Sequence, residues 1–173
     1  MDWVIETPRL LLRELNTDDA QFFFDLNNDP EVIRYTGDVA FESIDAARQF
    51  LAGYDHFKKY GFGRWAMATK SEHKLVGWCG LKYSSDANEY DLGFRLFKNE
   101  WGKDFATEAG IACLTAGFQK FNMPMIVGRA LKANIGSIRV LEKCGMRYWK
   151  DVEEHDNEAV VYRCFPEDLN NLL

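Results

Sequence analysis

The chain has 173 residues, 47% hydrophobic and 14% aromatic, and a formal net charge of −6. This content excludes a disordered polypeptide and suits one globular domain over residues 1–173. The acidic balance, with no Lys/Arg-rich run to reverse it, argues against nonspecific binding to nucleic acid or anionic membranes and favours cationic partners.

In chain order, Arg9-Leu-Leu-Leu-Arg13 reads as the first strand, and Thr17 opens an aromatic-rich helical stretch to about Asn27, interrupted by Pro30. Ser43 is placed to cap a second helix running to about Tyr60, where Gly61 and Gly63 end the pattern. Strands follow at Arg64–Lys70 and Lys74–Tyr83, joined by a hairpin through Ser71-Glu-His73. The segment Ser84–Asn88 turns the chain into a further strand, Tyr90-Asp-Leu-Gly-Phe-Arg-Leu-Phe97. A helix from about Phe105 to Phe121, a strand near Met125–Leu131, a helix from Ile135 to Cys144 and two closing strands complete the order. Mostly antiparallel strands followed by a strand–helix–strand–helix unit predict an α+β sandwich with a mixed central sheet flanked by helices.

Cys79, Cys113, Cys144 and Cys164 are widely spaced within apolar patterns and read as buried thiols. His56, His73 and His155 show no metal-ligand spacing, so no metal is expected. No apolar run spans a bilayer and no secretory pattern opens the sequence, which predicts a cytoplasmic location.

The most informative stretch is Trp101-Gly-Lys-Asp-Phe-Ala-Thr-Glu-Ala109, a polar, glycine-containing loop between a strand and a helical pattern. The first N–H groups of such a helix lack intrahelical acceptors, and with the positive end of the dipole they suit a phosphate or pyrophosphate. A second signal is Asn134-Ile-Gly-Ser-Ile-Arg-Val-Leu-Glu-Lys-Cys-Gly-Met146, a helix bounded by an Asn N-cap and a closing Gly.

Together these segments resemble the GNAT superfamily of N-acetyltransferases, and within it the ribosomal-protein N-terminal (Rim-type) acetyltransferases. The resemblance runs from Thr7-Pro-Arg-Leu-Leu-Leu-Arg13 through Asp91-Leu-Gly-Phe94 and the Asn134 helix to Val160-Val-Tyr-Arg163. It implies a GNAT-like sandwich whose cofactor-binding strand carries a bulge and splays from its neighbour, freeing backbone groups near Leu96 and Phe97 for the pantetheine arm of acetyl-CoA. The family loop reads Gln or Arg, two variable residues, Gly, one variable residue, then Gly or Ala. The aligned residues are Trp101, Gly102, Lys103, Asp104, Phe105 and Ala106, so Asp104 stands where the family usually has glycine. Its carboxylate would compete with phosphate for the same N–H groups, with Lys103 partly compensating the charge. As an isolated feature, Asp104 reads equally as a helix N-cap.

Acetylating an amine imposes further requirements. A protonated amine, with a Lys-like pKa of about 10.4, must lose a proton before attacking a thioester. Asp91 aligns with a family Glu and is the leading base, with Glu89, two residues earlier on the same face, in reserve. The alternative for Asp91 is a surface pair with Arg95. A strand N–H near Leu96 or Phe97 would receive the oxyanion. The family's usual Tyr acid aligns here with Leu141, leaving Ser137 to donate to the departing sulfur. The resemblance places Asn134 against the pantetheine; Lys143 and Arg139 read as solvated surface residues that could also approach phosphate from the same helix.

The expected activity is direct acetyl transfer from acetyl-CoA, as acyl donor, to a primary amine: a protein N-terminus, a polyamine or another small amine. The acidic run Asp151–Glu158 could draw such an acceptor in. A competing reading is a catalytically weak acyl-CoA-binding module that regulates a partner. The Phe22-Phe-Phe24 run suits either a homodimer surface or the interior of the monomer.

Overall fold

The computed structural model describes residues 3–171; Met1, Asp2, Leu172 and Leu173 of the expected 1–173 unit lie outside them. One sheet organises the chain. Its strands are β1 (Ile5–Glu6), β2 (Leu10–Glu14), β3 (Arg64–Thr69), β4 (Leu75–Ser84), β5 (Glu89–Leu96), β6 (Ile126–Leu131), β7 (Arg147–Glu154) and β8 (Asn157–Cys164), in the spatial order β1-β2-β3-β4-β5-β6-β8-β7. Every pairing is antiparallel except β5 with β6, as the expected mixed sheet requires.

The helices are α1 (Ala20–Asn28), α2 (Pro30–Ile33), α3 (Ile44–Gly53), α4 (His56–Tyr60), α5 (Phe105–Gln119) and α6 (Ile135–Lys143). Pro30 starts a helix rather than only stopping one: Asp29 caps α2 and Pro30 fills its first position, where no N–H is needed. The single helix expected from Ser43 to Tyr60 is two. Ser43 caps α3 through the Ala46 N–H, but the chain goes extended at Tyr54. The Tyr54 hydroxyl there accepts from the Arg64 amide at 3.0 Å, so satisfying the first residue of β3 overrides helical continuity.

Two cores lie on opposite sides of the sheet. On one, Phe105, Ala109, Cys113, Leu114 and Phe118 of α5 pack over Leu81, Leu92 and Leu96. On the other, Phe23 and Leu26 of α1 with Ala47 and Leu51 of α3 pack against Ala66 and Trp78. A fully buried side chain such as Leu114 contributes about 1.5–3 kcal/mol by leaving water. Gly110 and Gly117 bring α5 close to its neighbours: a Cβ would lie 2.7 Å from Cys144 Sγ at the first and 2.6 Å from Ile126 Cδ1 at the second. All four cysteines are buried free thiols, as expected. In the Phe22–Phe24 run Phe23 is buried, whereas Phe22 and Phe24 are half-buried; Phe23 stacks on Phe50 and Phe22 lies edge-on to Phe97.

Candidate active site

β5 and β6 start together and then part. Only Tyr90↔Ile126 and Asp91↔Val127 pair, although β5 continues to Leu96 and β6 to Leu131. The opening does not come from a bulge in β5: its register with β4 runs unbroken from Ser84↔Glu89 to Gly77↔Leu96. Divergence from β6 makes the cleft.

That register also fixes which backbone groups face it. The Phe97 N–H donates to Val76 O at 3.1 Å, continuing the β4 ladder, so the odd-numbered residues of β5 direct their backbone groups to β4 and Leu92, Phe94 and Leu96 direct theirs toward the cleft. This corrects the expectation for Phe97, whose amide is already engaged and whose ring packs on Phe22. Phe94 joins Leu96 instead, a pairing that strict strand alternation would have identified. The Leu96 carbonyl accepts the Trp101 indole Nε1–H at 3.1 Å, while the Leu96 side chain is buried in the core.

Past β5 the chain makes a 3-10 turn at Lys98–Glu100 and enters the loop. Gly102 has φ of 77° and Asp104 φ of 62°, so two of three successive residues are left-handed. Glycine is the usual occupant of such a position, which accounts for the family pattern at 104. Among the described residues, the amides of Gly102 through Thr107 have no intramolecular acceptor. Six consecutive N–H groups at the positive end of α5 are therefore without an intramolecular acceptor among the described residues, a donor set of the kind that suits pyrophosphate.

Asp104 occupies the N-cap position, with Phe105 the first helical residue, but its side chain makes no capping hydrogen bond. Its carboxylate reaches Lys143 Nζ at 2.8 Å, and that ammonium holds it below the usual carboxylate range. The expected compensation by Lys103 is thus supplied by Lys143 from the last turn of α6. Lys103 instead meets the buried carboxylate of Glu100 at 2.7 Å, which also takes Lys74 at 2.9 Å; the two ammonium groups lower the Glu100 pKa. Phe105 anchors the helix start in the core beneath the Arg9 guanidinium, 4.7 Å from its ring centroid, and Ala106 packs partly buried beside it.

Across the cleft, Asn134 caps α6: its Oδ1 accepts the Ser137 N–H at 3.2 Å and its Nδ2 donates to Ser137 Oγ at 2.9 Å. The Ser137 hydroxyl proton is left free to donate elsewhere. Arg139 is exposed, and Leu141 is buried against β6.

On the face of β5 opposite α5, Asp91 and Glu89 share the guanidinium of Arg129 from β6. Arg129 reaches Asp91 at 3.1 Å, bonds Glu89, and meets Glu154 of β7 at 3.4 Å. Burial raises the Asp91 pKa to about 6, with Arg129 opposing the rise. The alternative pair with Arg95 does not form, because Arg95 binds Asp38 at 2.7 Å and Asn27. Arg129 escaped the sequence reading; its signal was one charged residue on an otherwise apolar strand, Ile-Val-Gly-Arg-Ala-Leu. The acidic run 151–158 forms the β7–β8 hairpin, with Glu154 turned to Arg129, Asp151 and Glu158 to Lys132, and His155 touching Gly37.

Comparison with known proteins gives this geometry a family. The chain is 29% identical over 162 residues to an uncharacterized N-acetyltransferase, YnaD, of Bacillus subtilis, covering 94% of this chain and 88% of that one. Among solved structures, a ribosomal-protein-S5-alanine acetyltransferase from Vibrio fischeri superposes with a TM-score of 0.81 at 16% identity, over 96% of this chain and 98% of its own. A spermidine N-acetyltransferase from Vibrio cholerae, in complex with CoA and spermine, gives 0.80 at 19%, over 94% and 98%. A family model described as the acetyltransferase (GNAT) domain matches residues 9–147, and the chain belongs to that family of acyl-CoA-dependent acetyltransferases.

Proposed function

We propose that this protein moves the acetyl group of acetyl-CoA directly to a primary amine, within a single 1–173 domain. The carrying observation is the row of unpartnered amides from Gly102 to Thr107 at the mouth of the β5–β6 cleft. Those amides would hold the pyrophosphate, with Lys143 balancing Asp104. The cleft-facing backbone of Phe94 and Leu96, with Asn134, would hold the pantetheine arm. The free Leu96 N–H is the donor in this set for negative charge developing on the thioester oxygen.

Asp91 is the base, acting directly or through water. A carboxylate with a pKa near 6 is ionised at neutral pH and can take the proton that the amine nitrogen gives up as its lone pair forms the C–N bond to the thioester carbon. Glu89 stands behind it on the same guanidinium. Ser137 donates to the sulfur as the C–S bond breaks and the thiol leaves.

The acceptor is a protein N-terminal amine, as in the Rim-type subgroup, or a polyamine. The first is supported by the S5-alanine acetyltransferase neighbour and the second by the spermidine acetyltransferase neighbour and the carboxylates gathered around Arg129. Thiol release from acetyl-CoA, measured across N-terminal peptides, polyamines and aminoglycosides, tests the reading and separates the acceptors. Asp91→Asn and Ser137→Ala should each lower turnover at least tenfold while leaving acetyl-CoA binding within about twofold. Binding without turnover on any amine would replace this reading with an acyl-CoA-binding regulatory module.

A further inference from the structure

Arg129 makes three ion pairs with one guanidinium. Its Nη1 lies 3.1 Å from Asp91 Oδ2, its Nη2 bonds Glu89 Oε2, and its Nε is 3.4 Å from Glu154 Oε1. Three strands are joined: β5 supplies Asp91 and Glu89, β6 supplies Arg129 and β7 supplies Glu154. All four side chains keep a third or less of their surface open, which weakens solvent screening.

The position matters as much as the charge. Backbone pairing of β5 with β6 ends at Asp91↔Val127, and Arg129 is two residues further along β6, just where the strands separate. Among the described residues no ladder pair joins the two strands beyond that point, and the guanidinium bridges them at the root of the cleft. Guanidinium geometry suits this role, because its N–H donors form a rigid planar fork and its charge does not titrate in the accessible range.

We infer that Arg129 is a positioning residue for the transfer reaction, fixing the Asp91 carboxylate at the root of the cleft in its ionised form. Glu89 and Glu154 are the outer supports that keep the guanidinium from swinging away. The inference rests on the reading of Asp91 as base. Its physical content is a balance: burial drives the Asp91 carboxylate toward its neutral form and Arg129 is the largest force opposing that.

Other charges facing Asp91 act more weakly. Lys82 pairs with it across the β4 ladder and Arg64 contributes from β3, both favouring ionisation. Glu89 and Glu154, held on the same guanidinium, carry like charge, and Arg95 is occupied by Asp38 and Asn27. Without Arg129, two neighbouring carboxylates would remain beside Asp91 with no cation in contact. With it, three carboxylates surround one guanidinium, and Lys82 and Arg64 lie further out, so the base stays deprotonated beside two carboxylates that can receive an ammonium.

The test is a direct titration of Asp91 by carboxyl 13C NMR, assigned by Asp91→Asn, in wild type, Arg129→Gln and Arg129→Lys. The expected result is a midpoint at least one pH unit higher in Arg129→Gln, a tenfold change in the ionised ratio, and a smaller upward shift in Arg129→Lys, which keeps charge but loses the fork. Should Arg129→Gln fail to fold, Arg129→Lys alone decides the matter. A midpoint unmoved in the variant that folds overturns the inference. The base assignment is judged separately by the pH–rate profile of Asp91→Asn: an unchanged acid limb removes Asp91 as base whatever Arg129 does.

Discussion

Asp104 and Lys143 meet at 2.8 Å across the start of α5 and the end of α6, binding an acidic side chain away from the amides that its own backbone conformation helps to expose. Both side chains are more than half exposed, so the pair adds little to fold stability. Its effect is on binding. Asp104→Gly removes a non-glycine residue from a left-handed conformation, worth about 1 kcal/mol, and takes a negative charge from the phosphate cradle. Acetyl-CoA affinity should rise about three- to tenfold by calorimetry, with a smaller gain at high salt. Lys143→Gln should weaken binding in wild type and cost nothing in the Asp104→Gly background if Lys143 serves only to neutralise Asp104. Equal affinity of wild type and Asp104→Gly would mean that the carboxylate stays clear of the ligand.

The indole of Trp101 ties the loop to the end of β5 through the Leu96 carbonyl. Trp101→Phe keeps an aromatic side chain but loses the donor, about 1 kcal/mol of anchoring. We expect KM for acetyl-CoA to rise about fivefold with kcat nearly constant, because the loop proposed to hold the phosphates loses its reference point on the strand. A lower KM in Trp101→Phe would mean the opposite, that the indole competes with the pantetheine arm for the same carbonyl.

The sequence exposed what depends on local pattern. Alternation in Asp91-Leu-Gly-Phe-Arg-Leu96 set which side chains of β5 face α5, and the cap residues Ser43 and Asn134 set two helix starts. What it concealed is long-range. The chain leaves the helix at Tyr54, whose hydroxyl meets the Arg64 amide ten residues on. Lys143, not the adjacent Lys103, compensates Asp104, because α6 returns to cross the start of α5. Arg129 could be seen as odd on its strand, but its three carboxylate partners lie 25 to 40 residues away and are assembled only by the sheet order. The Phe97 amide is a finer case: side-chain parity was legible, whereas its engagement by Val76 depends on where the β4 ladder ends.

Leu141 provides a prediction about what cannot be grafted. It stands where many relatives are expected to carry the Tyr acid, so Leu141→Tyr is the obvious attempt to install one. The side chain is 1% exposed, and its Cδ2 fills the space above Gly128, where even a Cβ would approach to 2.6 Å. A phenol at that site must either displace β6 or leave the core, an overpacking cost of about 1–3 kcal/mol. For a chain of this size Tm should fall by about 2–4 °C per kcal/mol. Turnover should not rise, and Ser137→Ala should remain damaging in the Leu141→Tyr background if Ser137 is the proton donor proposed above. Thermal melts and thiol-release rates of the single and double variants check both statements; a stable Leu141→Tyr protein that no longer needs Ser137 would transfer the acid role to residue 141.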